Sequence, residues 1–240
     1  MAGFPNPCDS TFVKFVKEGC IREHSHPVVK KEPISSDILS AVVEKFGKSD
    51  ATLYDLRTCC IFLLGYAGFL RFSEIVNIRR SQLVFSDSHL TLFITKSKTD
   101  VYKQGSSLCI SKTNSSTCPV SMLLRYLLLS DIDEKSEDFI FRQVTFCKKN
   151  NSYKLRNNKQ PLSYTRVREL VLSTLDSLGL DSKKYGVHSL RSGGATAAAA
   201  AGVSDRLFKK HGRWKSENAK DGYVHENLQV KLSVTKQLGL

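Results

Sequence analysis

The run from Cys59 to Leu70 is twelve residues without a charge, and Arg71 follows it at once. A membrane helix needs about twenty apolar residues, so this run predicts a helix buried in a protein core, with Thr52 to Leu70 as its extent. A guanidinium placed directly after buried sequence needs an anion to offset its desolvation. Glu74, three residues on, offers one, and a phosphate would be another.

The flanking sequence fits around that helix. Ser35 or Ser36 caps a helical run Ile38, Leu39, Val42, Val43, Phe46 that Gly47 ends. Ser73 is placed to cap a short helix through Ile78. Leu83–Phe85, Leu90–Ile94 and Leu108–Ile110 read as short strands, with a polar turn from Lys96 to Gly105. Val120–Leu129 is helical behind Pro119, and Phe139–Phe141 is extended. A basic, Asn-rich loop covers 147–161. Ser163 caps the amphipathic helix Val167, Leu170, Val171, Thr174, Leu175, Leu178, which Gly179 closes. Helical segments near 188–201, 204–211, 216–225 and Leu228–Leu238 complete the chain. The fold class is α+β, a mainly helical domain with a small antiparallel β-sheet. Residues 1–33, punctuated by Pro5, Pro7, Pro27 and Pro33, read as a leader or linker, and 34–240 as the main domain.

The net charge is +13, unevenly spread. Between Arg142 and Arg168 stand eight Lys or Arg residues and no Asp or Glu, the footprint of a polyanion binder or of a solvated loop. Lys96, Arg142, Lys148, Lys149, Lys154, Arg156, Lys159, Arg166 and Arg213 are the candidate contacts to such a polyanion. Seven cysteines without zinc-type spacing suggest reduced thiols and no metal site. No apolar leader opens the chain, which predicts an intracellular protein.

Each chemical candidate also has a structural reading. Arg71 and Glu74 could simply pair. His188 and Arg191, spaced i, i+3 at a helix start, share a face and could hold one anion there, but H-x-x-R is common by chance. Lys98 on a hairpin tip could be merely solvated, Trp214 could be a core residue, and Tyr223 could simply pack.

Their order is more specific than any one of them. GFLRFSEI (68–75), ITKSKTD (94–100), HSLRSGGATAAAAAG (188–202), HGRW (211–214) and GYV (222–224) together resemble the tyrosine recombinase/integrase family, over a span from about Lys31 to the C-terminus. HGRW, KSKTD and PVVKKEPIS resemble eukaryotic mobile-element members more than bacterial ones.

The resemblance implies a catalytic domain that cuts and rejoins double-stranded DNA through a phosphotyrosine, without metal, nucleotide or other cofactor. Tyr223 would be the nucleophile, with Arg71, Arg191 and His188 holding the phosphate oxygens. Lys98 would be the general acid, with Lys96 as an alternative. Trp214, nine residues before Tyr223, would donate through its indole, and Glu74 would orient the pocket. A tetramer on DNA, a nuclear location, no membrane association, and a leader left over from a missing DNA-clamp domain belong to the same expectation. Three rivals stay open: a helix–turn–helix module over 196–214 that binds DNA without chemistry, a type IB topoisomerase-like enzyme, and an inactive remnant.

Overall fold

The structure is a computed structural model that describes residues 6–26, 29–95, 105–226 and 228–238. It divides into two units, Met1–Lys30 and Lys31–Leu240.

The first unit contains a helix, α1 (Thr11–His24), where the sequence reads as leader. Prolines suggested the leader, but none falls between Pro7 and Pro27, and α1 occupies that interval. None of its residues is buried. Phe12, Phe15, Val16 and Ile21 are exposed.

In the second unit, α2 (Ser36–Phe46) starts at Ser35, whose Oγ accepts the N–H of Ile38 at 3.2 Å. It turns Leu39, Val42 and Val43 inward and ends at Gly47. α3 (Leu53–Ala67) opens with a capping box in which Thr52 and Asp55 each accept the other's backbone N–H, at 3.2 and 3.1 Å. Its residues Cys59 to Leu64 are all buried, as the uncharged run requires. α4 (Phe72–Val76) begins two residues before the start that a Ser73 cap would set. The carboxylate of Glu74 accepts the N–H of Arg71 at 2.9 Å and caps the helix from within.

β1 (Leu83–Phe85), β2 (His89–Ile94) and β3 (Ser106–Ser111) form an antiparallel sheet in that order. Leu92 sits opposite Leu83 and Leu108, and Leu90 opposite Ile110, so period-two alternation puts the leucines on the buried face. Among the described strands, β2 and β3 last pair at Ile94 and Ser106. Lys96 and Lys98, which fall between, lie outside the described residues.

α5 (Pro119–Ser130) follows. The basic loop 147–161 is in part a hairpin, β4 (Val144–Cys147) against β5 (Ser152–Leu155). The helices α6 (Tyr164–Ser177), α7 (His188–Ala200), α8 (Asp205–Gly212), α9 (Glu217–Asp221) and α10 (Leu228–Lys236) complete the unit. α9 is half the length predicted for 216–225. α3 is the axis of the unit, with α2, α5, α6 and α7 packed on it. Among the described residues no helix is long and apolar enough to cross a membrane.

Candidate active site

The site is built at the C-terminal end of α3. Gly68 closes the helix, and Phe69 takes a left-handed backbone, φ +46°, rare for a bulky side chain. Three successive carbonyls, starting with that of the last helical residue, then meet donors from the other end of the sequence. The Ala67 carbonyl accepts His211 Nε2 at 2.8 Å. The Gly68 carbonyl accepts Arg213 at 3.2 and 3.3 Å. The Phe69 carbonyl accepts Arg213 at 3.1 Å and Arg191 as well. A helix end leaves such carbonyls unpaired and attracts cations, and residues more than 120 positions away satisfy both needs. Because a carbonyl only accepts, His211 carries its proton on Nε2. Burial pushes the His211 pKa down; the Ala67 carbonyl opposes this, while Arg213 and Arg191 reinforce it.

Three guanidiniums surround one carboxylate. Glu74, with no exposed side-chain surface, binds Arg71 at 2.8 Å and Arg213 at 2.9 Å, with Arg191 at 3.8 Å. Burial alone would raise the Glu74 pKa. Arg213, the N–H of Arg71 and the charges of Arg71 and Arg191 outweigh burial and hold it below the usual carboxylate value. One negative charge cannot balance three positive ones, so the cluster retains an excess of positive charge out of bulk water. Burial also lowers the pKa of Arg191, Arg71 lowers it further, and Glu74 pulls it back.

Arg191 is at the centre. Its side chain is completely buried, its terminal nitrogens donate to the carbonyls of Phe69 and Gly212, and rings cover it. The Trp214 ring centre is 4.7 Å from its guanidinium carbon and the Tyr223 ring centre 4.8 Å. Two glycines make this packing possible. A Cβ on Gly194 would lie 2.1 Å from the Tyr66 carbonyl, and one on Gly212 would lie 1.9 Å from the Trp214 ring. Three buried donors in the cluster, Arg191 Nε, Arg213 Nε and Trp214 Nε1, have no hydrogen-bond partner among the described residues.

The main chain around Tyr223 is fastened to α7. Ser192 Oγ donates to the Tyr223 carbonyl at 2.7 Å, and the His225 N–H donates to Thr196 Oγ1 at 3.0 Å. Lys220 adds ion pairs to Asp205, to Glu217 at 2.6 Å and to Asp221 at 3.7 Å, joining α9 to the start of α8.

The structure therefore brings together Arg71, Glu74, Arg191, Trp214 and Tyr223 from four segments of the sequence. His188, the first residue of α7, is exposed while Arg191 one turn later is enclosed, so the two do not present an equally open face.

Two of the expected DNA contacts require correction. Arg142 is buried, with its guanidinium on Asp138 at 3.5 Å. Arg213 is turned inward by a left-handed backbone, φ +55°, onto Glu74 and the end of α3. Neither offers a free surface charge. Lys148, Lys149, Lys154, Arg156, Lys159 and Arg166 are exposed. Lys159 is 3.2 Å from Asp138, and Arg166 is 2.9 Å from Glu169.

Sequence reasoning left out His211, Phe69, Ser192 and Thr196. The signal for Ser192 and Thr196 was available: two hydroxyls one turn apart in an Ala/Gly-rich helix directly after Arg191.

Comparison with known proteins decides the family. The sequence profile of the phage integrase family matches residues 37–229. The chain belongs to the phage integrase family. It is 28% identical over 226 residues to an integrase/recombinase XerD homolog of Selenomonas ruminantium, covering 94% of this chain and 63% of that protein. Among solved structures, the XerH site-specific recombinase bound to a palindromic difH substrate matches with a TM-score of 0.64 at 16% identity, over 90% of this chain and 56% of that one. The XerA recombinase matches at 0.62 and 18%, over 90% and 67%. These similarities establish the tyrosine recombinase catalytic fold. This phage integrase family chain spans less than two thirds of the length of the XerD homolog and of the XerH chain.

Proposed function

We propose that this chain cuts and rejoins double-stranded DNA through a covalent bond to Tyr223. One observation carries the reading: buried positive charge in excess around Glu74, with the Tyr223 ring 4.8 Å from the central guanidinium. A phosphodiester supplies the missing negative charge, and the donors of Arg191 and Trp214 that lack a partner among the described residues are the kind of group it would satisfy.

The phenol oxygen of Tyr223 attacks phosphorus, its proton passing to solvent. A Tyr223–phosphate ester forms on the 3′ side, and the bond to the 5′ oxygen breaks. Lys98, or Lys96, protonates that oxygen. Arg71, Arg191 and His188 hold the charge that grows on the phosphate oxygens. The ester conserves the bond energy, so a 5′-hydroxyl reverses the step without nucleotide. Because Arg191 is enclosed, the Tyr223 ring has to move off it before a phosphate enters.

Work on two duplexes by a tetramer, residues 34–240 as the catalytic part, and a eukaryotic mobile-element lineage acting in the nucleus are finer parts of the proposal. The lineage rests on the HGRW, KSKTD and PVVKKEPIS segments, whereas the XerD homolog is bacterial. The enclosure of Arg191 favours one rival, DNA binding without chemistry. Nicked suicide duplexes drawn from sequence flanking the gene decide between them. A band of protein covalently joined to DNA, absent in Tyr223→Phe, supports cleavage; binding without such a band refutes it.

A further inference from the structure

A cavity of about 430 Å³ opens between α6 and the β4–β5 hairpin, and none of the residues around Glu74 lines it. Tyr54, Arg57, Gln143, Arg156, Arg166 and Glu169 supply its polar wall. Arg57 stands in α3 ten residues before Ala67, roughly 15 Å along the helix from the candidate active site.

Arg57 is 5% exposed, yet among the described residues it takes part in no ion pair. One nitrogen donates to the Arg142 carbonyl at 2.7 Å, the guanidinium carbon lies 4.9 Å from the Tyr54 ring centre, and Nε is buried without a partner among the described residues. A buried cation with no counter-charge is costly, and burial lowers the Arg57 pKa accordingly. The carboxylate in the wall, Glu169, is already held by Arg166 at 2.9 Å. Arg156 is braced toward the same space by Thr145 at 2.7 Å and Gln143 at 2.9 Å. Three guanidiniums against one carboxylate again leave positive charge in excess, here in an open cleft.

We propose that this cleft is a second phosphate-binding site, with Arg57 at its base and Arg156 and Arg166 at its mouth. Planar guanidiniums match phosphate oxygens in pairs. The flanking hairpin carries exposed Lys148, Lys149 and Lys154, which makes a DNA backbone phosphate the favoured source and a free phosphate compound the other. The site rests on the proposed DNA chemistry only for that source, not for phosphate binding itself.

The test uses the full chain with two probes, inorganic pyrophosphate and a duplex of roughly 30 base pairs titrated over a range of salt. Arg57→Gln and the exposed variants Arg156→Gln and Arg166→Gln are compared with the parent after thermal melting shows each folded; the exposed pair keeps the test valid if Arg57→Gln does not fold. A loss of about one in the salt slope of duplex binding per variant assigns the cleft to the DNA backbone. Pyrophosphate binding weakened roughly tenfold with an unchanged duplex slope assigns it to a free phosphate compound. Folded variants that bind both probes like the parent overturn the proposal. Absence of a covalent adduct with the parent chain, alongside the reduced slopes of the variants, would count against the cleavage reading alone.

Discussion

Ser192 donates its hydroxyl to the backbone carbonyl of Tyr223 at 2.7 Å, one residue after the guanidinium that the Tyr223 ring covers. The cover and its fastening thus belong to the same turn of α7. Thr196, one turn on, holds the segment in the opposite sense, its hydroxyl oxygen accepting the His225 N–H at 3.0 Å. Removing both hydroxyls in Ser192→Ala/Thr196→Val should cost about 1 kcal/mol per bond and speed hydrogen exchange at Tyr223–His225 more than elsewhere. Unchanged exchange there would show that packing, not these bonds, holds the segment.

Glu74 is the sole carboxylate paired with Arg71, Arg191 and Arg213 among the described ion pairs. Glu74→Gln keeps the shape and leaves three guanidiniums facing one another. Denaturant unfolding should show a loss of about 3–5 kcal/mol. A loss under about 1 kcal/mol would mean that solvent already compensates the cluster.

The same carboxylate sets a pH dependence. Its pKa is lowered in the folded protein, so its contribution is fully present above the unfolded value of about 4.3 and disappears as pH falls through the lower folded value. The stability gap between the parent and Glu74→Gln should therefore be constant near neutrality and narrow below about pH 4. A gap that widens on acidification would reverse the assigned sign.

Trp214 is the only tryptophan, so its fluorescence reports the site directly. At 5% exposure, its emission should be poorly quenched by acrylamide. Gly212→Ala would drive a methyl into the ring, at a cost of about 1–3 kcal/mol, and should raise quenching. Equal quenching in the variant would contradict the packing of Gly212 against the indole.

Much of the helical frame could be read from local chemistry. Ser163 caps a helix where the sequence places the cap, Ser35 is the cap of the pair Ser35 or Ser36, and Pro119 opens α5 in its first turn, because such signals act between near neighbours. The end of α3 was harder to read. The apolar pattern continues to Leu70, but the helix stops at Ala67, where Gly68 closes it and Phe69 turns left-handed, and the carbonyls this frees are taken by His211, Arg213 and Arg191. No short-range signal encodes such partners.

Arg213 was misplaced for a related reason. Its charge fits a DNA contact, and only the left-handed turn at that residue sends it inward. The hairpin of β4 and β5 was hidden by the lysines and asparagines at its tip, although Val144, Thr145, Phe146 and Tyr153 are strand formers.

The central claim is that residues from Arg71 to Tyr223 serve one phosphorus atom. Peptide mapping of the adduct formed on a suicide duplex tests it most directly. The account predicts a single phosphodiester-bearing peptide containing Tyr223, with yield reduced on the order of 10²-fold or more in Arg71→Gln and Arg191→Gln. An adduct on another of the eight tyrosines, or a yield indifferent to both arginines, would contradict it.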